Sequence, residues 1–162
     1  GRPVFIWFAA TSVVLVAVIF RSPAIDHRTV VLGSLLPLVE VVFGGPRLLH
    51  SMVGAVGVLV VVMALTTGRR LVRRRLLGIP IGMMCHLVLD GSFTRTDSFW
   101  WPVSGTAFAP GQIPEVAHLG VSLVLEVVGV GVALWAWRAF RLDDPEVRAR
   151  FVSDGRLDLP GT

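Results

Sequence analysis

The chain has no lysine, no tyrosine and a single cysteine among its 162 residues. One thiol, Cys85, cannot close an internal disulfide, so cysteine usage says nothing about redox compartment. It reads as a small packing residue beside His86. All fifteen basic residues are arginine, which points to GC-rich coding of the actinobacterial kind more than to chemistry. Charge is also scarce, at 16% of the sequence against about a quarter in soluble domains. The net charge of +4 is not read as a nucleic-acid signal, and no nucleic-acid partner is expected. The arginines cluster beside apolar runs, where membrane topology explains them more simply.

Hydrophobic residues, by contrast, make up 54% of the chain, and the mean hydropathy is +0.75. Five apolar runs approach the length of a bilayer span: Val4 to Phe20, Thr29 to Gly44, Leu48 to Gly68, Leu76 to Gly91 and Val116 to Phe140. The expected fold is all-α, a polytopic membrane bundle of about five transmembrane helices. Residues 1–140 form the membrane domain, and 141–162 a cytoplasmic C-terminal helix and tail. No small-x-small cleavage site follows the first run, so it is read as a span and not as a signal peptide. Gly1 in place of Met points to missing or processed N-terminal sequence. Pro37 removes a backbone donor inside the second run, which predicts a broken or tilted helix there. Asp144 before Pro145 predicts the start of a short helix.

Arginine placement orients the spans. "GRRLVRRRLLG" separates the third and fourth runs and reads as a cytoplasmic loop. Arg21, Arg28, Arg138, Arg141, Arg148 and Arg150 fall on the same side, while Arg2, Arg47 and Arg95 fall opposite. The expected localisation is the cell inner (plasma) membrane, multi-pass, with the N-terminus outside and the C-terminus cytoplasmic. The segment Ser92 to Glu115 should then face the exterior, with Phe99, Trp100, Trp101 and Phe108 suited to the lipid interface.

Ionisable residues interrupt the apolar runs. His86 and Asp90 sit four apart, on one helix face. The proposed topology brings Glu40, His50, Asp90, Glu115 and His118 to outer span ends, with His86 about 6 Å deeper than Asp90. Ionisable side chains within membrane segments usually face the bundle interior and usually have a function. Imidazoles and carboxylates at one depth are the ingredients of a divalent metal site, zinc among the candidates. The plainer reading has His86 hydrogen-bonded to Asp90 and His50 capping its helix. Small residues at helical spacing (Gly33 in the second run, Gly54 and Gly57 in the third, Gly78 and Gly82 in the fourth, Gly129 in the fifth) read as packing seams. A proton path through Glu126 and His118 ranks last.

Three stretches, Leu36-Pro37-Leu38-Val39-Glu40, Arg47-Leu48-Leu49-His50-Ser51 and Gly82 to Asp90, are followed by Trp100-Trp101-Pro102. Together they resemble the YdjM-like (LexA-binding-type) family of membrane-bound metal-dependent hydrolases, over about Gly33 to Pro102. The resemblance implies a metal held by His50, His86 and Asp90, with Glu40 as fourth ligand or general base. A metal hydrolase at that depth would act on a lipid or lipid-linked (phospho)ester at the outer leaflet, with Arg47 holding an anionic head group and Trp101, in the outer loop, as a second substrate-binding residue. This chain departs from the pattern at Leu38, where the family carries aspartate. The alternative is a non-catalytic subunit of a larger membrane complex with a degenerate metal site. Expected partners are membrane lipids and, on that alternative, a partner membrane subunit.

Overall fold

A computed structural model describes residues 5–22, 24–43, 48–90, 99–103 and 119–157. These residues are all-α: α1 (Ile6–Phe20), α2 (His27–Leu35), α3 (Leu38–Val42), a 3-10 turn (Leu48–His50), α4 (Met52–Leu65), α5 (Arg70–Leu76), α6 (Gly78–Leu89), α7 (Leu119–Ala139) and α8 (Pro145–Asp154). The second run breaks at Leu36 and Pro37 into α2 and α3, as the proline predicts. The arginine-rich stretch expected as a loop is instead the short helix α5, which arginine and leucine favour intrinsically. Asp144 caps α8 by accepting from the Glu146 N–H at 2.9 Å, with Pro145 following as first helical residue.

Among the described residues, one helical stretch, Gly120–Ala139, is long and apolar enough to cross a membrane. α7 has 21 residues and spans about 31 Å, close to a hydrocarbon core of about 30 Å. α1 and α4 are as apolar but shorter, at 15 and 14 residues. Beside an apolar core, the described residues combine many exposed large apolar side chains with several buried polar ones, which a soluble bundle seldom does. Leu65, Leu123, Val127 and Leu134 are exposed, while Ser12, Ser34, His50, Thr66, His86 and Ser122 are buried.

The helices pack as two parallel pairs, and this decides what meets at each end. α2 against α6 is the most extensive contact, and α1 against α7 the next. In the first pair, Gly78 abuts Thr29 and Gly82 abuts Val30 and Ser34. A Cβ at Gly82 would overlap the Val30 carbonyl oxygen, and one at Gly33 the Ile79 carbonyl oxygen. These glycines let the two backbones touch, as small residues do at membrane helix interfaces. In the second pair, the N–H groups of Ile6 and Trp7 donate to Glu126 at 3.2 and 3.4 Å. Further along, Ala17 packs with Ala136 and Phe140. Glu126, considered in the sequence only as part of a proton path, therefore supplies acceptors to the otherwise unpaired N-terminal amides of α1.

The arginine-bearing ends of the elements meet at one end of the bundle. There Asp26 caps α2 through the Arg28 N–H at 3.0 Å and pairs with the Arg28 guanidinium at 2.7 Å. Arg28 also donates to the Val152 and Ser153 carbonyl oxygens at 2.7 and 2.8 Å, closing the C-terminal end of α8. Gly155 ends α8 at φ 69°, and a Cβ there would overlap the Asp26 carboxylate. Burial alone would raise the Asp26 carboxyl, but the Arg28 hydrogen bonds and charge together hold it below the usual value of 3.8. A carboxyl lowered by folding stabilises above its unfolded value, and that stability is lost as pH falls through the folded one. Asp26→Asn keeps a capping side chain and loses the charge. It should cost about 1–2 kcal/mol near neutral pH. Thermal unfolding followed in detergent should show the gap from wild type close as pH drops below about 4.

Candidate metal centre

At the opposite end of the bundle, α1, α3, α4 and α6 converge on His50, His86 and Asp90. All three are buried, and one ligand atom from each lies within 4.8 Å of the others. Each reaches this place for a local reason. The 3-10 turn ends at His50, and Ser51 then caps α4 by accepting from the Gly54 N–H at 3.0 Å. Ser51, and not His50, is thus the helix cap, which leaves the imidazole free of that duty. Asp90 ends α6 one turn after His86, where its N–H donates to the His86 carbonyl oxygen at 2.8 Å.

Outer contacts fix the two rings. His86 Nδ1 donates to the Ser34 carbonyl oxygen at 2.7 Å, across the close α2–α6 seam. The His86–Asp90 pairing considered in the sequence is therefore not what satisfies Nδ1. The His50 Nδ1 lies 3.2 Å from Glu40 Oε2, while Glu40 Oε1 accepts from the Leu49 N–H at 2.8 Å. Carbonyl and carboxylate oxygens only accept, so these partners place the proton of each ring on Nδ1. In a neutral imidazole Nε2 is then a lone-pair acceptor. His50 Nε2 and His86 Nε2 are both fully buried and have no hydrogen-bond partner among the described residues. The rings meet edge to face, with centroids 5.2 Å apart.

Two buried lone pairs beside a buried carboxylate are costly as they stand. They are what a divalent cation needs. Two imidazoles and a carboxylate form the three-ligand set of catalytic zinc sites, which keep a fourth position for water or substrate. Carboxylate and carbonyl partners behind ligating imidazoles are also the usual outer shell of such sites. The residues therefore fit a divalent metal.

The walls are apolar. Phe8 stacks on the His86 ring with centroids 4.0 Å apart and an interplanar angle of 26°. Leu38 packs against Phe8 in the same buried cluster. Where the sequence pattern led to an expected aspartate, this chain thus places a hydrocarbon contact behind the Phe8–His86 stack. Phe99 is only 5% exposed and packs with Ala55, Met83 and Leu87, so it belongs to the core and not to an interfacial belt. Trp100 stands edge-on to it and is exposed, and Trp101 is half-buried. Arg47, Glu115 and His118 lie outside the described residues, as does most of the segment between α6 and α7.

Sequence reasoning missed Ser34 and Phe8. Ser34 acts through its backbone oxygen, which any residue has, and the inward face of Phe8 is marked only by Ser12, four residues later and also buried. No protein-family model matches the chain, and no curated protein or solved structure is significantly similar to it.

Proposed function

We propose that this chain is an integral membrane hydrolase that uses a divalent metal to cleave a lipid or lipid-linked phosphoester at the outer leaflet. The observation that carries the reading is the convergence of His50, His86 and Asp90, one ligand atom from each inside 4.8 Å, together with two buried Nε2 atoms that have no hydrogen-bond partner among the described residues. The many exposed large apolar side chains support a membrane setting. Five crossings, with the arginine-rich end cytoplasmic, agree with the parallel α1–α7 and α2–α6 pairs. The resemblance to the YdjM-like hydrolases supplies the reaction class.

In this reading His50, His86 and Asp90 hold the metal. The bound ion supplies Lewis acidity to the ester and lowers the pKa of a hydrolytic water. Glu40 orients His50 through Nδ1, and the Ser34 carbonyl orients His86. Phe8 and Leu38 exclude water from the side of the site that faces the bundle. Arg47 neutralises an anionic head group, and Trp101 borders the approach.

The test is head-group release from phosphatidylglycerol in reconstituted vesicles. Release should stop on chelation, resume with zinc, and be lost in Asp90→Ala but kept in Leu134→Ala, an exposed α7 position. Release that ignores chelator and Asp90→Ala alike contradicts the proposal. Leu38 favours a second reading, in which the centre binds metal without turnover inside a larger complex. A partner protein purifying in stoichiometric amount, with no release activity, supports that one.

A further inference from the structure

We propose that the groove between α1, α4 and α6 holds a hydrocarbon chain of the substrate lipid while the head group sits at the His50–His86–Asp90 cluster. This inference rests on the hydrolase reading above. The groove has a volume of about 400 Å³ and apolar walls that include Leu15, Phe20, Leu59 and Met84. That volume is within the range of ligand pockets, about 300–1,000 Å³.

The position ties the groove to the cluster. Its α6 wall runs from Pro80 to Val88, about 12 Å along the helix. Cys85, beside His86, and Met52, two residues after His50, line its upper part. Phe20, at the C-terminal end of α1, lies toward the arginine-bearing end. A chain lying in the groove therefore starts at the depth of the metal ligands and runs inward, as the tail of an outer-leaflet lipid does.

The lining separates a hydrocarbon chain from a partner helix. The described residues that form the walls offer no charged group and almost no polar surface to a peptide, whereas methylene groups need none.

A phosphatidylglycerol with a diazirine midway along one acyl chain tests this in phosphatidylcholine nanodiscs, with adducts mapped by mass spectrometry. Adducts should concentrate on Leu59, Met84 and Cys85 over the exposed α7 residues Leu123, Val127 and Leu134. Val56 and Val88 line the groove and are 48% and 55% exposed, so a larger side chain at either can be accommodated. Val56→Trp or Val88→Trp should lower groove adducts about ten-fold, the equivalent of excluding about two methylene groups. Their α7 adducts and zinc content should stay at wild-type level. Groove labelling no higher than on α7, or unchanged by both substitutions, overturns the proposal. Zinc measured in the same samples keeps the readings apart: uniform labelling with zinc bound removes only the groove, and groove labelling without zinc removes the hydrolase on which the proposal depends.

Discussion

His86→Ala protein should purify folded in outline but with its zinc affinity lowered by more than about 100-fold, beyond what loss of an outer-shell partner produces. The substitution removes one of two imidazole donors and leaves His50 Nε2 facing a cavity. It also frees the Ser34 carbonyl oxygen that Nδ1 now occupies and removes the ring on which Phe8 stacks. Glu40→Gln gives the graded comparison. It keeps the shape behind His50 and loses the carboxylate charge, so affinity should fall by about 10–100-fold. Equilibrium zinc titration against a competing chelator reads both. The same ligands couple metal to folding, because an ion that binds only the folded chain stabilises it. Chelation should therefore lower the melting temperature of the wild type and leave that of His86→Ala unmoved. Equal zinc affinity in all three proteins would place the ion elsewhere.

Gly82→Val should be the most destabilising change outside the cluster, by about 3 kcal/mol or more. The α2 and α6 backbones touch at this position, and the atoms in the way are the Val30 carbonyl oxygen and the Ser34 amide. Backbone atoms cannot rotate aside as a side chain can, so the helices must separate. Separation also draws the Ser34 carbonyl away from His86, so zinc affinity should fall with stability. Gly57→Val is the control. Gly57 is exposed, with nothing within 4 Å of the added Cβ, and its substitution should stay within about 0.5 kcal/mol of wild type. Thermal unfolding in one detergent compares the two directly.

These glycines show how far the sequence could be read. Gly54 and Gly57 fall on one helical face by spacing, but Gly54 is buried against the Leu48 carbonyl while Gly57 is exposed. Spacing identifies a face, and only the neighbouring helix decides how much of that face is covered. The same distinction runs through the site. His50, His86 and Asp90 were legible because ionisable residues in apolar runs are conspicuous and because arginine placement set their depth. The break at Pro37 and the cap at Asp144 were legible because backbone chemistry dictates them locally. Glu126 was visible as an anomaly, but its partners are α1 amides some 120 residues away. A backbone amide leaves no mark in a sequence. Phe8 was not marked because it is one of many apolar residues in α1, although Ser12, four residues on and also buried, shares its inward face. The α5 helix was hidden by the weight given to its charge, which locates a segment relative to a membrane and says little about its backbone.

His50, His86 and Asp90 are placed to hold one divalent ion together. The most direct measurement is metal content and zinc K-edge absorption of the purified full chain, beside its His50→Ala, His86→Ala and Asp90→Ala variants. About one zinc per chain is expected, with two imidazole nitrogens and carboxylate oxygen in the coordination shell, and loss of the ion in each variant. Folded wild-type protein that binds no divalent metal at saturating concentration, or zinc retained in all three variants, would contradict it.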